Sequence, residues 1–146
     1  RDLQKVLPSF ASLIEEARKI ASDHVDPKVV GAEMFDYWAT ALDRYLIARE
    51  TLPADRIMDV PFEDVVGDIV EVIGRVYARA GRALTQEAIA AFREHDTRRP
   101  EHYWGTYTYS AASYGYTPEL IDQRFAAYRK RFITSGQVPV KESARA

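Results

Sequence analysis

Apolar residues at Phe10, Leu13, Ile14, Ala17, Ile20 and Ala21 recur at helical spacing, with Glu15, Glu16, Arg18 and Lys19 between them. The pattern predicts an amphipathic helix over 8–22. The stretch DHVDPKVVG interrupts it, and Asp26-Pro27 supplies a capping side chain followed by the residue best tolerated at the first helical position. A second helix follows, burying Val30, Met34, Phe35, Trp38, Leu42, Tyr45 and Leu46 and ending before Pro53. RIMDV at 56–60, short, apolar and bracketed by Pro53 and Pro61, reads as a strand. Helical spacing returns in PFEDVVGDIVEVIGRVYARAG, with acidic residues in its first turn, an inner face of Val65, Val66, Ile69, Ile73, Val76 and Tyr77, and Gly81 as its stop. Thr85 caps a shorter helix to about His95 that buries Ile89 and Phe92. Thr117 and Pro118 open a last helix, whose Leu120, Ile121, Phe125, Tyr128 and Phe132 point inward. Residues 134–146 have no periodicity and read as a mobile C-terminal tail.

Helices around one short strand pose a difficulty, because a lone strand cannot pair its own N–H and C=O groups and even an isolated hairpin is marginal. The pattern therefore expects a sheet outside this chain, or a partner that supplies it. At 146 residues the chain fits one domain with one core. Its net charge of −2 is a poor footprint for nucleic acid, which is held by clustered Lys and Arg. Cysteine is absent, which excludes a disulfide framework, a thiolate nucleophile and a Cys-based zinc site. There is no secretory leader pattern and no run of about 18 apolar residues, so a cytoplasmic protein is expected.

Three groups of residues could carry chemistry. If an upstream strand ended at Arg1, Asp2–Leu7 would be the strand-to-helix turn and Ser9 would lie in the first helical turn. Free N–H groups, the positive end of the helix dipole, an Arg fork and a Ser hydroxyl together suit a phosphate. The plainer alternative is a solvated Arg1 and a helix-start Ser9. HDTRRPEHYWGTYTYSAASYGY, dense in Tyr and Arg, is long for a plain connection and reads as a functional loop. His95 and His102, with Glu94, Asp96 or Glu101, have ligand chemistry but no standard metal spacing, and no metal is expected. His24, between the first two helices, reads as an exposed loop residue and not as a base.

The opening residues resemble a motif of one known family. Arg1, Asp2, Val6 and Ser9 fall at the places of Arg-(Asp/Asn)-Pro-x-(Asp/Glu)-Val-x-x-Ser, the 3′-phosphate-binding motif of sulfotransferases that use 3′-phosphoadenosine 5′-phosphosulfate, with Leu3 and Lys5 as departures. DVPFEDV is similar to the family's strand followed by Tyr-Glu-Asp-Leu, which puts Phe62 where an aromatic lies near the adenine. HYWGTYTYSAASYGYTPELIDQRFAAYRKRF looks like the family's closing loop and final helix, most of all in its bacterial branch. There a basic loop closes over the 3′-phosphate, with Arg98, Arg99 and His102 as the nearest counterparts.

The resemblance covers residues 1–133. It implies an α/β, P-loop nucleotide-kinase-like sulfotransferase fold, of which this chain is the mostly helical C-terminal half, with about five helices and one short strand. Residues 1–133 would then be the C-terminal part of a single domain, partnered by a missing N-terminal half that carries the phosphosulfate loop, the catalytic His and most of the sheet. It also implies sulfuryl transfer to a hydroxyl or amine of a small-molecule, lipid or carbohydrate acceptor, lined in part by DHVDPKVVGAEMFDYW. Nucleic acid is not expected as a partner, and a homo-oligomer is left open. The competing reading is a non-enzymatic helical interaction module that uses the Tyr-rich segment 103–116 as its contact surface.

Overall fold

Asp2 starts the first helix well before the pattern around Pro8 predicts. In a computed structural model that describes residues 1–98 and 109–134, Asp2 is extended and its carboxylate accepts the Gln4 N–H, so α1 runs Leu3–Lys19. Leu3, Leu7 and Ala11, spaced four apart, are its buried face, which carries the apolar stripe two turns toward the N-terminus. The expected stripe is rotated accordingly: Leu13 is 62% and Ile20 88% exposed. Pro8 lies inside the helix and is buried, where its ring supplies apolar surface but no N–H for the Gln4 carbonyl.

The second helix keeps its expected bounds, although Tyr45, expected on its buried face, is exposed. Asp26 accepts the Lys28 N–H at 2.8 Å, Pro27 opens α2 (Pro27–Thr51), and Leu52 ends it ahead of Pro53. Two compact units divide the chain: residues 1–52 with 109–146, and residues 53–108.

In the first unit α1 packs on α2, and a 3₁₀ turn, Ala111–Tyr114, sits against both. Gly115 then takes the left-handed conformation (φ 77°) that lets Tyr116 turn back into the core. Thr117 caps α6 (Pro118–Arg124) through the Leu120 N–H. Phe125 (φ −106°, ψ 21°) separates it from α7 (Ala126–Arg129), and one π-helical turn, Lys130–Thr134, follows. The single last helix predicted from the sequence is therefore broken at Phe125, although its N–H still bonds Ile121 and its C=O still accepts Arg129. Leu3, Leu7, Ala11, Val30, Ala39, Tyr114, Tyr116, Ile121 and Phe125 form the core. Arg124 clamps the Asp43 carboxylate of α2 with both guanidinium nitrogens, at 2.6 and 3.3 Å, which holds that carboxyl below its ordinary range.

Two buried phenols tie the 3₁₀ turn and its neighbour down. The Tyr114 hydroxyl donates to Glu15 Oε2 at 2.7 Å, and the Tyr116 hydroxyl donates to the Gly31 carbonyl at 2.8 Å. Lys19 and then Tyr114 pull the Glu15 carboxyl below its ordinary range. Burial, reinforced by neighbouring Tyr114, pushes the Tyr116 phenol up to about 12 from an ordinary 10. A raised folded-state value gives stability that is complete below the unfolded value and lost as pH climbs through the folded one. The urea midpoint is therefore expected to fall between pH about 10 and about 12. Tyr116→Phe should show a shallower fall; an equal fall in both proteins would assign the effect elsewhere.

The second unit is described to Arg98. After Pro53 comes a 3₁₀ turn, Ala54–Arg56, and then an extended Ile57, with no strand where one was expected over 56–60. Extended backbone becomes a strand only by pairing, and no strand occurs among the described residues. The long helix expected from Pro61 to Gly81 is two helices, α3 (Phe62–Gly67) and α4 (Ile69–Arg79). Asp68 divides them because its carboxylate accepts the Val70 and Glu71 N–H groups, at 3.0 and 3.1 Å, which restarts the helix. That restart turns Val70 and Val72 inward and leaves Val66 exposed. At the far end Gly81 (φ 68°) donates to Ala78 and Arg82 to Tyr77, a Schellman stop. Thr85 caps α5 (Gln86–Thr97) by accepting the Ala88 N–H.

Candidate functional site

The start of α1 is held by side chains from the end of the chain. Asp2 accepts the Gln4 N–H at 3.0 Å on its carboxylate and the Lys5 and Val6 N–H groups, each at 3.1 Å, on its carbonyl. Three of the amides near the helix start, those of Gln4, Lys5 and Val6, are thus taken by the capping residue itself. Arg129 Nη1 lies 2.5 Å from Asp2 Oδ1 and 3.2 Å from Asp122 Oδ1, and Asp122 also accepts Gln4 Nε2 at 2.7 Å. The first turn of α1 is therefore fixed to α6 and α7 by charge-assisted hydrogen bonds.

Arg1 immediately precedes this cap and is exposed. Ser9 is exposed too, but it lies in the second turn of α1, not the first, because the helix begins at Leu3. Ser9 lies seven positions beyond Asp2, a rise of about 10 Å and just under two turns. The fold thus puts an exposed guanidinium just before α1 and an exposed hydroxyl in its second turn, on a helix whose Gln4, Lys5 and Val6 amides are already bonded. A guanidinium offers a planar two-donor fork and a hydroxyl a third donor, donor types that suit an anion.

The other expected residues divide. Phe62 opens α3 and is half-buried in the second unit. Arg98 ends α5, where it is exposed and pairs with Glu94 one turn back. Arg99, His102 and the 103–108 part of the Tyr-rich segment lie outside the described residues, as do residues 135–146 of the expected tail. Within 109–116, Tyr114 and Tyr116 are only 5% and 4% exposed. These two tyrosines are core residues with bonded hydroxyls, which removes them from the contact surface that an interaction module would need.

A cleft of about 470 Å³ opens at the α1–α2 loop, lined by Arg18, Ser22, His24, Val25, Asp26 and Val29 among others. This is the loop that the sequence assigned in part to an acceptor. His24 is exposed there, its backbone knotted by mutual bonds with the Ser22 hydroxyl, while Arg18 is drawn to Glu33 at 2.6 Å. Sequence reasoning missed Gln4, Asp122 and Arg129, because their association spans 118 to 127 residues and has no local signature. Among the described residues no three His, Asp or Glu side chains converge as a metal site, and no helix is long and apolar enough to cross a membrane.

Residues 1–87 match the family model described as the sulfotransferase family. Among solved structures, the chain is similar to sulfotransferase STF1 from Mycobacterium tuberculosis, with 27% sequence identity and a TM-score of 0.72. The match covers 87% of this chain and 32% of the mycobacterial one, so the sequence spans well under half of that protein. No curated protein matches. With a family match over more than half its length and a fold shared with a solved sulfotransferase, the chain belongs to the sulfotransferase family.

Proposed function

We propose that this chain is the part of a sulfotransferase that holds the 3′-phosphate of 3′-phosphoadenosine 5′-phosphosulfate, with Arg1 and Ser9 as its ligands. The observation that carries the reading is their position just before and within the first two turns of α1, inside the stretch that matches the family. The residues fit the group: a guanidinium and a hydroxyl suit phosphate oxygens, and the Asp2 carboxylate beside them is already paired with Arg129. When bound, the nucleotide supplies the sulfuryl group that is transferred to an acceptor hydroxyl or amine. Arg1 would hold the phosphate through two parallel hydrogen bonds, and Ser9 would fix its orientation with a third. Holding the nucleotide rigidly serves an in-line displacement, in which positioning contributes much of the acceleration.

Phe62 is proposed for the adenine, and Arg98, Arg99 and His102 for closure over the phosphate. The cleft at the α1–α2 loop is proposed as part of the acceptor surface for a small-molecule, lipid or carbohydrate hydroxyl or amine. The phosphosulfate loop, the catalytic base and the parallel sheet of a P-loop-like fold are assigned to the remainder of a longer enzyme, in keeping with the 32% coverage of the mycobacterial chain. This chain by itself should therefore lack transferase activity.

Titration of 3′-phosphoadenosine 5′-phosphate into the full-length protein tests the ligands. Arg1→Ala and Ser9→Ala should each weaken binding by about 1–3 kcal/mol, the range for a hydrogen bond to a charged group. Unchanged affinity in both variants, with the fold intact by circular dichroism, would remove Arg1 and Ser9 from the site.

A further inference from the structure

The carboxylate next to Arg1 poses an electrostatic difficulty that the C-terminal helices resolve. Asp2 must cap α1, yet its negative charge lies beside the residue assigned to an anionic ligand. A phosphate within a Debye length, about 8–10 Å, would be repelled. Arg129 meets that charge at 2.5 Å, and its second contact, to Asp122 at 3.2 Å, holds the guanidinium in place. Both partners of the Asp2–Arg129 pair are sheltered, their side chains 30% and 21% exposed, so salt screens the pair less than a surface pair.

We infer that Arg129 is a positioning residue for the nucleotide: it cancels the Asp2 carboxylate beside Arg1 and thereby makes the start of α1 acceptable to a phosphate. The inference rests on the reading of Arg1 and Ser9 as phosphate ligands. Arg129 acts through Asp2 and need not touch the nucleotide. Its role is therefore conditional on the Asp2 charge, which a purely structural role is not. Asn caps a helix about as well as Asp, so Asp2→Asn removes the charge and keeps the cap.

The test uses the full-length protein and two probes, 3′-phosphoadenosine 5′-phosphate and adenosine 5′-phosphate, which lacks the 3′-phosphate. Arg129→Met is expected to weaken the first roughly tenfold and leave the second unchanged, while Arg129→Lys, which restores the charge, should recover most of the loss. In the Asp2→Asn background, Arg129→Met should cost less than about twofold, the signature of two coupled residues. Equal loss for both probes, or a loss that persists with Asp2→Asn, would overturn the inference by making Arg129 a structural residue only. Should Arg129→Met unfold the protein, comparing Asp2→Asn with Asp2→Asn/Arg129→Gln still decides, since sensitivity to losing the charge at position 129 without the Asp2 charge contradicts it. Arg1→Ala separates the two levels of the argument. If it leaves the preference for the 3′-phosphate intact, the ligand reading fails; if it abolishes the preference while Arg129→Met does not, only the present inference fails.

Discussion

Replacing Gly31 by alanine is expected to destabilise the protein by about 3 kcal/mol, at the upper end for overpacking. A Cβ there would stand 2.1 Å from the Tyr114 carbonyl oxygen and 2.9 Å from both its carbonyl carbon and its Cβ. No rotamer relieves a clash with backbone, so the 3₁₀ turn would have to leave α2. That movement would stretch the bond from the Tyr116 hydroxyl to the Gly31 carbonyl and uncover two buried tyrosines. Alanine's better helix propensity, about 1 kcal/mol over glycine, offsets only part of this. Gly74 in α4 is the matched comparison: a Cβ there meets nothing within 4 Å. Gly74→Ala should therefore be neutral or stabilising in urea unfolding followed by circular dichroism. A Gly31→Ala protein as stable as the parent would mean that α2 and the 3₁₀ turn are not packed as described.

Phe125→Ala should cost about 3–5 kcal/mol, the usual range for deleting a buried aromatic side chain. Phe125 is 3% exposed, stands edge-on to Phe35 with ring centres 5.3 Å apart, and lies at the break between α6 and α7. Its loss would leave a void that the two helices could close only by shifting. Because α7 carries Arg129, that shift should also weaken nucleotide binding in whatever fraction stays folded. Leu120→Ala, at a position 41% exposed on the same segment, should change stability by less than about 0.5 kcal/mol. Similar thermal midpoints for the two variants would contradict the assignment of Phe125 to the core.

How far these features can be read from sequence depends on how local their causes are. Asp26-Pro27, Thr85, Thr117-Pro118 and Gly81 each act within one helical turn, and their boundaries were readable. Asp2 is equally local, but Pro8 reads as a helix start, while the Leu3–Leu7–Ala11 spacing shows that the helix is already under way. Asp68 carried the same signal inside a run whose apolar periodicity masked it. The stretch 57–60 has strand composition, but composition cannot provide a neighbouring strand. Tyr114 and Tyr116 look like a binding surface in sequence and are core in space, since their partners Glu15 and Gly31 lie 99 and 85 residues away. Of the candidate site, Arg1 and Ser9 are proposed from their resemblance to the family motif, whereas the Arg129 contact has no local signature in the sequence.

Hydrogen–deuterium exchange on the full-length protein, with and without 3′-phosphoadenosine 5′-phosphate, tests the central claim most directly. Binding a phosphate through Arg1 and Ser9 should slow exchange in peptides spanning residues 1–10, and adenosine 5′-phosphate at equal occupancy should protect them much less. Occupancy of the nucleotide with no protection in that segment would contradict the account, as would the absence of any binding by the folded, full-length protein.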